Sequence, residues 1–160
     1  MSDEHSQNIP IHFILLGHSK NHILAAIAHF KINKMVIFTS KELLEENLPF
    51  IQEIIPKSVQ VLEVVELDPF EHQALENILL IISEKYRKYS SKGKIPIIIS
   101  LTGGTNLMVV AMALVASEKR LKTHYVLNSE SSDVIEIDYF ERMKGKGSFE
   151  KSGVLPTEIS

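Results

Sequence analysis

The chain has no cysteine, so neither a disulfide framework nor a thiolate metal site can be built from it. It also lacks a long hydrophobic run. The longest, Leu107 to Ala116, is ten residues, about half of what crosses a bilayer. Met1 to Asn8 is polar and acidic, without the apolar stretch of a secretory signal. These absences together predict a cytoplasmic protein with no membrane attachment. A basic excess is missing too: 17 Lys and Arg stand against 20 Asp and Glu, a net charge of −3. That argues against broad electrostatic binding to long nucleic acid. The common nucleotide motifs are absent. The first apolar strand ends in a single glycine, Gly17, with no G-x-G-x-x-G, which excludes an NAD or FAD Rossmann site. No G-x-x-x-x-G-K-[ST] occurs, and Gly145-Lys146-Gly147-Ser148 lacks both the spacing and a preceding buried strand, so P-loop hydrolysis is excluded as well. His18, His22 and His29 fall near one helix, but no acidic residue is spaced to complete a metal site with them. They read as solvated helix-face residues, and His12 and His124, on strands, as hydrogen-bonded structural ones. Neither a metal nor a cofactor is expected.

What is present is a core. With 160 residues, 44% of them hydrophobic, one compact domain is expected over residues 9–140. Apolar runs at Ile11–Gly17, Met35–Phe38, Val59–Leu67, Ile95–Leu101, Lys122–Leu127 and Val134–Phe140 read as strands. Helical periodicity marks Lys20 to Phe30, with Ile23, Leu24, Ile27 and Phe30 on one side. A second helix starts at Lys41 behind a Ser40 cap and is kinked or broken by Pro49. Asp68-Pro69-Phe70-Glu71 has the signature of a helix start, with Asp at N-cap, Pro at N1 and Glu at N3. That helix is expected to reach about Tyr89, and Lys85, Arg87, Lys88, Lys92 and Lys94 read as its solvated end. Strands alternating with helices imply right-handed crossovers and a parallel sheet. The connection Asn128 to Asp133 is too short for a crossover, so the last strand is antiparallel. The expected fold is therefore α/β: a Rossmann-like three-layer sandwich with a mostly parallel six-stranded sheet and an antiparallel last strand. From Glu141 to Ser160, glycines and scattered charge read as a polar, linker-like tail.

Function concentrates at Ser100-Leu101-Thr102-Gly103-Gly104-Thr105-Asn106, a strand, a glycine turn and a helix start. Two glycines let backbone approach a ligand closely, Thr105 can cap the helix, and free amides at its N-terminus favour an anion. A sheet order of 3-2-1-4-5-6 would bring this turn beside Gly17-His18-Ser19-Lys20-Asn21, because ligands bind beyond the strand ends at the topological switch. The candidate ligand-binding set is Gly17, Ser19, Asn21, Thr102, Gly103, Gly104, Thr105 and Asn106. The helix from Leu107 to Ala116 is apolar almost all round, which calls for burial on more than one side.

The segment Ile97 to Met108, with Thr102-Gly103-Gly104-Thr105 at its centre, and the strand ending Leu15-Leu16-Gly17-His18-Ser19 resemble the CARF family of CRISPR-associated Rossmann-fold sensor domains. The resemblance implies binding of cyclic tetra- or hexa-adenylate across a two-fold homodimer, in type III CRISPR antiviral signalling. It also implies a metal-independent ring nuclease activity in which a ribose 2′-hydroxyl attacks the neighbouring phosphate. His18, Ser19 and Lys20 are then the candidate catalytic residues, the first two as acid or base and Lys20 as a source of charge. Many ring-cleaving members carry lysine directly after Thr-Gly-Gly-Thr, where this chain has Asn106. Two other readings stay open: the ligand-sensing half of a transcription regulator, and a general nucleotide-binding module.

Overall fold

A computed structural model describes residues 9–128 and 133–138; the expected tail from Glu141 and the last two residues of the expected sixth strand lie outside these. Along the chain run β1 (Ile11–Leu16), α1 (Asn21–Phe30), β2 (Lys34–Ser40), α2 (Leu44–Pro49), β3 (Gln60–Leu67), α3 (Ala74–Ser90), β4 (Ile97–Ser100), α4 (Asn106–Lys119), β5 (Lys122–Asn128) and β6 (Asp133–Asp138). They form one six-stranded sheet in the order β3-β2-β1-β4-β5-β6. All neighbours are parallel except β5 and β6, which are antiparallel. The α/β sandwich expected from the alternation of elements is the one observed.

β1 is the middle of the sheet and is buried along its whole length. Alternation along the strands separates two cores. Phe13, Leu15, Val36, Phe38, Val65 and Ile99 pack under α3 and α4 with Ile78, Ile82, Met108 and Met112. On the other face, Ile14, Leu16, Met35 and Ile37 pack under α1 and the α2 region with Ile23, Ala26 and Phe50. A strand covered on both faces reads as near-continuous hydrophobicity, which is why β1, broken only by His12, and β2, over Met35 to Phe38, are legible as apolar runs. No helix among the described residues is long and apolar enough to cross a membrane.

Two helix boundaries differ from expectation. Ser40 does stand at the start of the second helical segment, but its side chain makes no capping bond. That segment opens as a 3-10 turn, becomes α2, and after Pro49 widens into a π-type turn over Phe50–Ile54. The proline therefore changes the hydrogen-bond spacing rather than ending the helix. At Asp68 the capping bond forms, with the Phe70 amide donating to Asp68 Oδ1 at 3.1 Å, yet the helix does not propagate. Gln73, at φ +63, resets the chain, and α3 begins only at Ala74 with Ala74, Ile78 and Ile82 on the buried side. The basic end of α3 is not wholly solvated either. Lys85 and Lys88 both reach Glu63 on β3, at 2.6 and 3.2 Å.

Candidate functional site

The two glycine-bearing loops meet. β1 and β4 are neighbours, so their C-terminal ends deliver Gly17 and Gly104 to the same place. A side-chain carbon at Gly17 would lie 3.0 Å from the Gly104 nitrogen. Gly103 and Gly104 both have positive φ, +93 and +69, a conformation that favours glycine. Thr105 then takes extended backbone and caps α4, its Oγ1 accepting from the Met108 amide at 3.3 Å. Neither α1 nor α4 has an acidic residue in its first turn. Two helix N-termini, with their partial positive charge uncancelled, therefore open at this end of the sheet.

Beside the junction lies a cavity of about 310 Å³, walled by Leu16, Gly17, His18, Ser40, Glu42, Leu43, Phe70, Gly104, Thr105 and Met108. It extends from the β1–α4 junction across the ends of β2 and β3. Of the residues expected from sequence, Gly17, His18, Gly104 and Thr105 stand on its wall. Ser19 and Lys20 on the adjoining loop, and Asn21 and Asn106 at the first positions of α1 and α4, do not line it. His18 is open to solvent, its side chain 82% exposed, with Nδ1 3.6 Å from Glu46 Oε2.

Two expected contact residues are occupied within the fold. Thr102 Oγ1 accepts from the Val126 amide at 2.7 Å, which fastens the turn to β5. Gly103 rests on a side chain that the sequence reading misassigned. His22 is not solvated but buried, and its Nε2–H donates to the Leu15 carbonyl at 2.9 Å. Burial pushes its pKa down, and the bond to Leu15 partly offsets that. A Cβ at Gly103 would fall 2.5 Å from His22 Nε2 and 2.7 Å from the Leu15 carbonyl oxygen, so His22 is the floor of the turn. Its i, i+4 spacing from His18 suggested a common exposed face. His18, however, precedes α1, so the helical spacing does not apply to the pair.

His12 and His124 are buried in the fold, as expected of structural residues, but three of their four ring nitrogens lack the hydrogen bonds expected of them. His12 Nδ1 and both ring nitrogens of His124 are buried without a partner among the described residues. Instead the rings gather around Phe30, with His124 at 4.5 Å and His12 at 5.4 Å between centroids. Burial drives both pKa values down, His12 to about 4 and His124 to about 3, the latter lowered further by its histidine neighbours.

The sequence reading missed Ser40, Glu42, Leu43 and Phe70. They come from the ends of β2 and β3, where no glycine or repeated polar motif marks a ligand loop. The one available signal was Phe70, a large aromatic inside a helix-start signature.

No protein-family model matches the chain, and neither does any curated protein. Solved structures do match. Csm6 from Enterococcus italicus, bound to cyclic hexa-2′-fluoro-hexa-dAMP, superimposes with a TM-score of 0.65 at 13% identity over 76% of this chain and 34% of that one. Can2 from Sulfobacillus thermosulfidooxidans, in complex with cyclic tetra-adenylate, gives 0.60 at 16% identity over 81% and 35%. Protein VC1899 from Vibrio cholerae gives 0.60 at 9% identity over 74% and 30%. The chain thus spans about a third of the length of each protein it matches. Its sheet order, crossovers and antiparallel last pair are those of a fold it shares with these proteins.

Proposed function

We propose that this chain is a CARF-type domain that binds a cyclic oligoadenylate as a two-fold homodimer, within type III CRISPR antiviral signalling. The observation that carries this reading is the contact of Gly17 with Gly104 at the N-terminus of α4. It makes a backbone-lined, anion-favouring surface without requiring a basic protein. Two of the fold's matches were solved with cyclic oligonucleotides, and the ring's internal symmetry suits an isologous dimer that presents the same loops twice. A surface for that dimer is available. Val110 and Leu114, four residues apart on α4, are exposed, as are Tyr125, Leu127 and Ile135 on the β5–β6 pair. Tyr125 and Ile135 are directly opposed in register, so they form one apolar strip.

Ring opening fits the same site. Attack of a ribose 2′-oxygen on the adjacent phosphorus forms that P–O bond and breaks the bond to the 5′-oxygen. The 2′ proton is taken by a base, and a proton is returned to the leaving oxygen. His18, on the cavity wall, is the candidate base, such a group being worth about 10²–10⁴-fold. Ser19 and Lys20, on the adjoining loop, are candidates for hydrogen bonding and charge. Enforced in-line geometry supplies the rest. Incubation with cyclic tetra-adenylate in EDTA is expected to yield linear products ending in 2′,3′-cyclic phosphate, and slower in H18A. Tight binding with no product would leave a sensor and remove the enzyme. No binding of the tetra- or hexa-adenylate ring by folded protein would remove the whole proposal.

A further inference from the structure

We infer that Phe70 is a base-stacking residue, and that the cavity beside the glycine turns takes one purine base against it while the phosphate stays on the Gly103–Thr105 side. This rests on the nucleotide reading above and adds to it the residue and the orientation. Phe70 is 72% exposed, the most open of the large apolar side chains described, while Pro69 beside it is buried. The turn that presents it is fixed at both ends. Asp68 Oδ1 accepts the Phe70 amide at 3.1 Å, and Asn77 Nδ2 donates to Glu71 Oε1 at 2.6 Å. Glu71 is the residue whose sequence position suits a first-turn capping role, and here it ties the turn to α3 instead. The interruption of a strong helix start thus holds an aromatic ring at the rim of a cavity. Departures of this kind from local sequence preference concentrate at functional sites.

The cavity walls agree. Leu16, Leu43 and Met108 supply apolar surface, and about 310 Å³ lies at the lower bound of small-molecule sites, roughly 300–1,000 Å³. That space suits one nucleoside-sized group and not a ring of four. Its polarity is one-sided. Gly104 and Thr105, at the N-terminus of α4, line it from the β4 side, and the acidic Glu42 lines it from the segment after β2. A carboxylate repels phosphate and accepts from the amino group of a base. Phosphate therefore goes to α4, and the base to Phe70 and Glu42.

The chain has no tryptophan, so F70W introduces a single fluorescent reporter at the stacking position. Titration of F70W with cyclic tetra-adenylate, cyclic hexa-adenylate and AMP is paired with calorimetry of wild type and F70A. The expected result is quenched emission on binding, and a loss of about 10- to 100-fold in affinity for F70A, the range of one base–aromatic stack. Ring binding by calorimetry with unchanged F70W emission and unchanged F70A affinity overturns the role of Phe70 and leaves the proposed function standing. Quenching by AMP without binding of either ring upholds the base site and overturns the ring ligand. No binding of any of the three overturns both.

Discussion

At Gly103 an alanine would carry its Cβ to 2.5 Å from His22 Nε2, in a backbone conformation at φ +93. The left-handed conformation costs an L-residue about 1–2 kcal/mol and overpacking about 1–3 more. G103A is therefore expected to lose roughly 2–5 kcal/mol of stability in denaturant titration, and a loss near zero would mean the turn is free to move off His22. Gly104 needs a different expectation from the one its sequence context suggests, that a larger residue there blocks the ligand and spares the fold. Its Cβ would point to Met108 Cε at 3.1 Å and Leu15 at 3.4 Å, at φ +69, so substitution strains the core side of the turn. Asn106, exposed at the first position of α4, is the cleaner test. N106K adds a cation beside the expected phosphate and should tighten ring binding in calorimetry, with faster cleavage where cleavage occurs; weaker binding would put the anion elsewhere. The histidines give a pH dependence. His12 and His124 stay neutral in the fold down to about 4 and about 3, whereas an unfolded histidine takes a proton near 6.5. Unfolded chain therefore binds more protons in that interval, and stability falls as pH drops from about 6.5 toward 4. At about 1.4 kcal/mol per pKa unit, His12 alone accounts for a loss on the order of 3 kcal/mol by pH 4. H124F should flatten the profile measured by thermal melting across that range, and an unchanged slope would show that other groups carry it.

Among the elements, those governed by pattern were legible and those governed by tertiary contacts were not. β1, β2 and α4 follow from apolar runs, broken in β1 only by His12, and the Thr105 cap from its place before one. α3 ends at Ser90, where it was expected to within a residue, but its start and the surroundings of its basic end were not legible. Its start depends on Gln73 adopting a left-handed conformation, which no local preference of glutamine signals. Its basic end depends on Glu63, more than twenty residues upstream in sequence. Burial raises the Glu63 pKa, but hydrogen bonds from Lys85, Tyr89 and Lys88 outweigh it and hold the carboxyl down to about 2. The stabilisation is present in full above the ordinary carboxylate range and is lost progressively as pH falls from there to about 2. E63Q keeps the shape but not the charge. It should lower the melting temperature at neutral pH and converge with wild type near pH 2, and parallel curves at all pH values would assign the effect to packing alone. The candidate site divides in the same way. Gly17, Gly104 and Thr105 carried glycine or capping signals and His18 follows one of those glycines, while Ser40, Glu42 and Phe70 reach the cavity only through the strand order β3-β2-β1-β4.

At the scale of the whole molecule, a net charge of −3 and an anion-favouring end of the sheet are compatible because backbone amides, not lysines, supply the local positive potential. The exposed Val110 and Leu114 on α4, and the strip of Tyr125 and Ile135 on the β5–β6 pair, are expected to be covered by a second copy. L114E should convert a dimeric mass to a monomeric one in light scattering, and a monomeric wild type at micromolar concentration would contradict the shared site. The measurement that bears most directly on the central claim is the stoichiometry of binding, by calorimetric titration of the protein with cyclic tetra- and hexa-adenylate. A ring held on the two-fold axis predicts saturation at one ring per two chains for the cognate size. Saturation at one ring per chain, or no heat with either ring from folded protein, would contradict it.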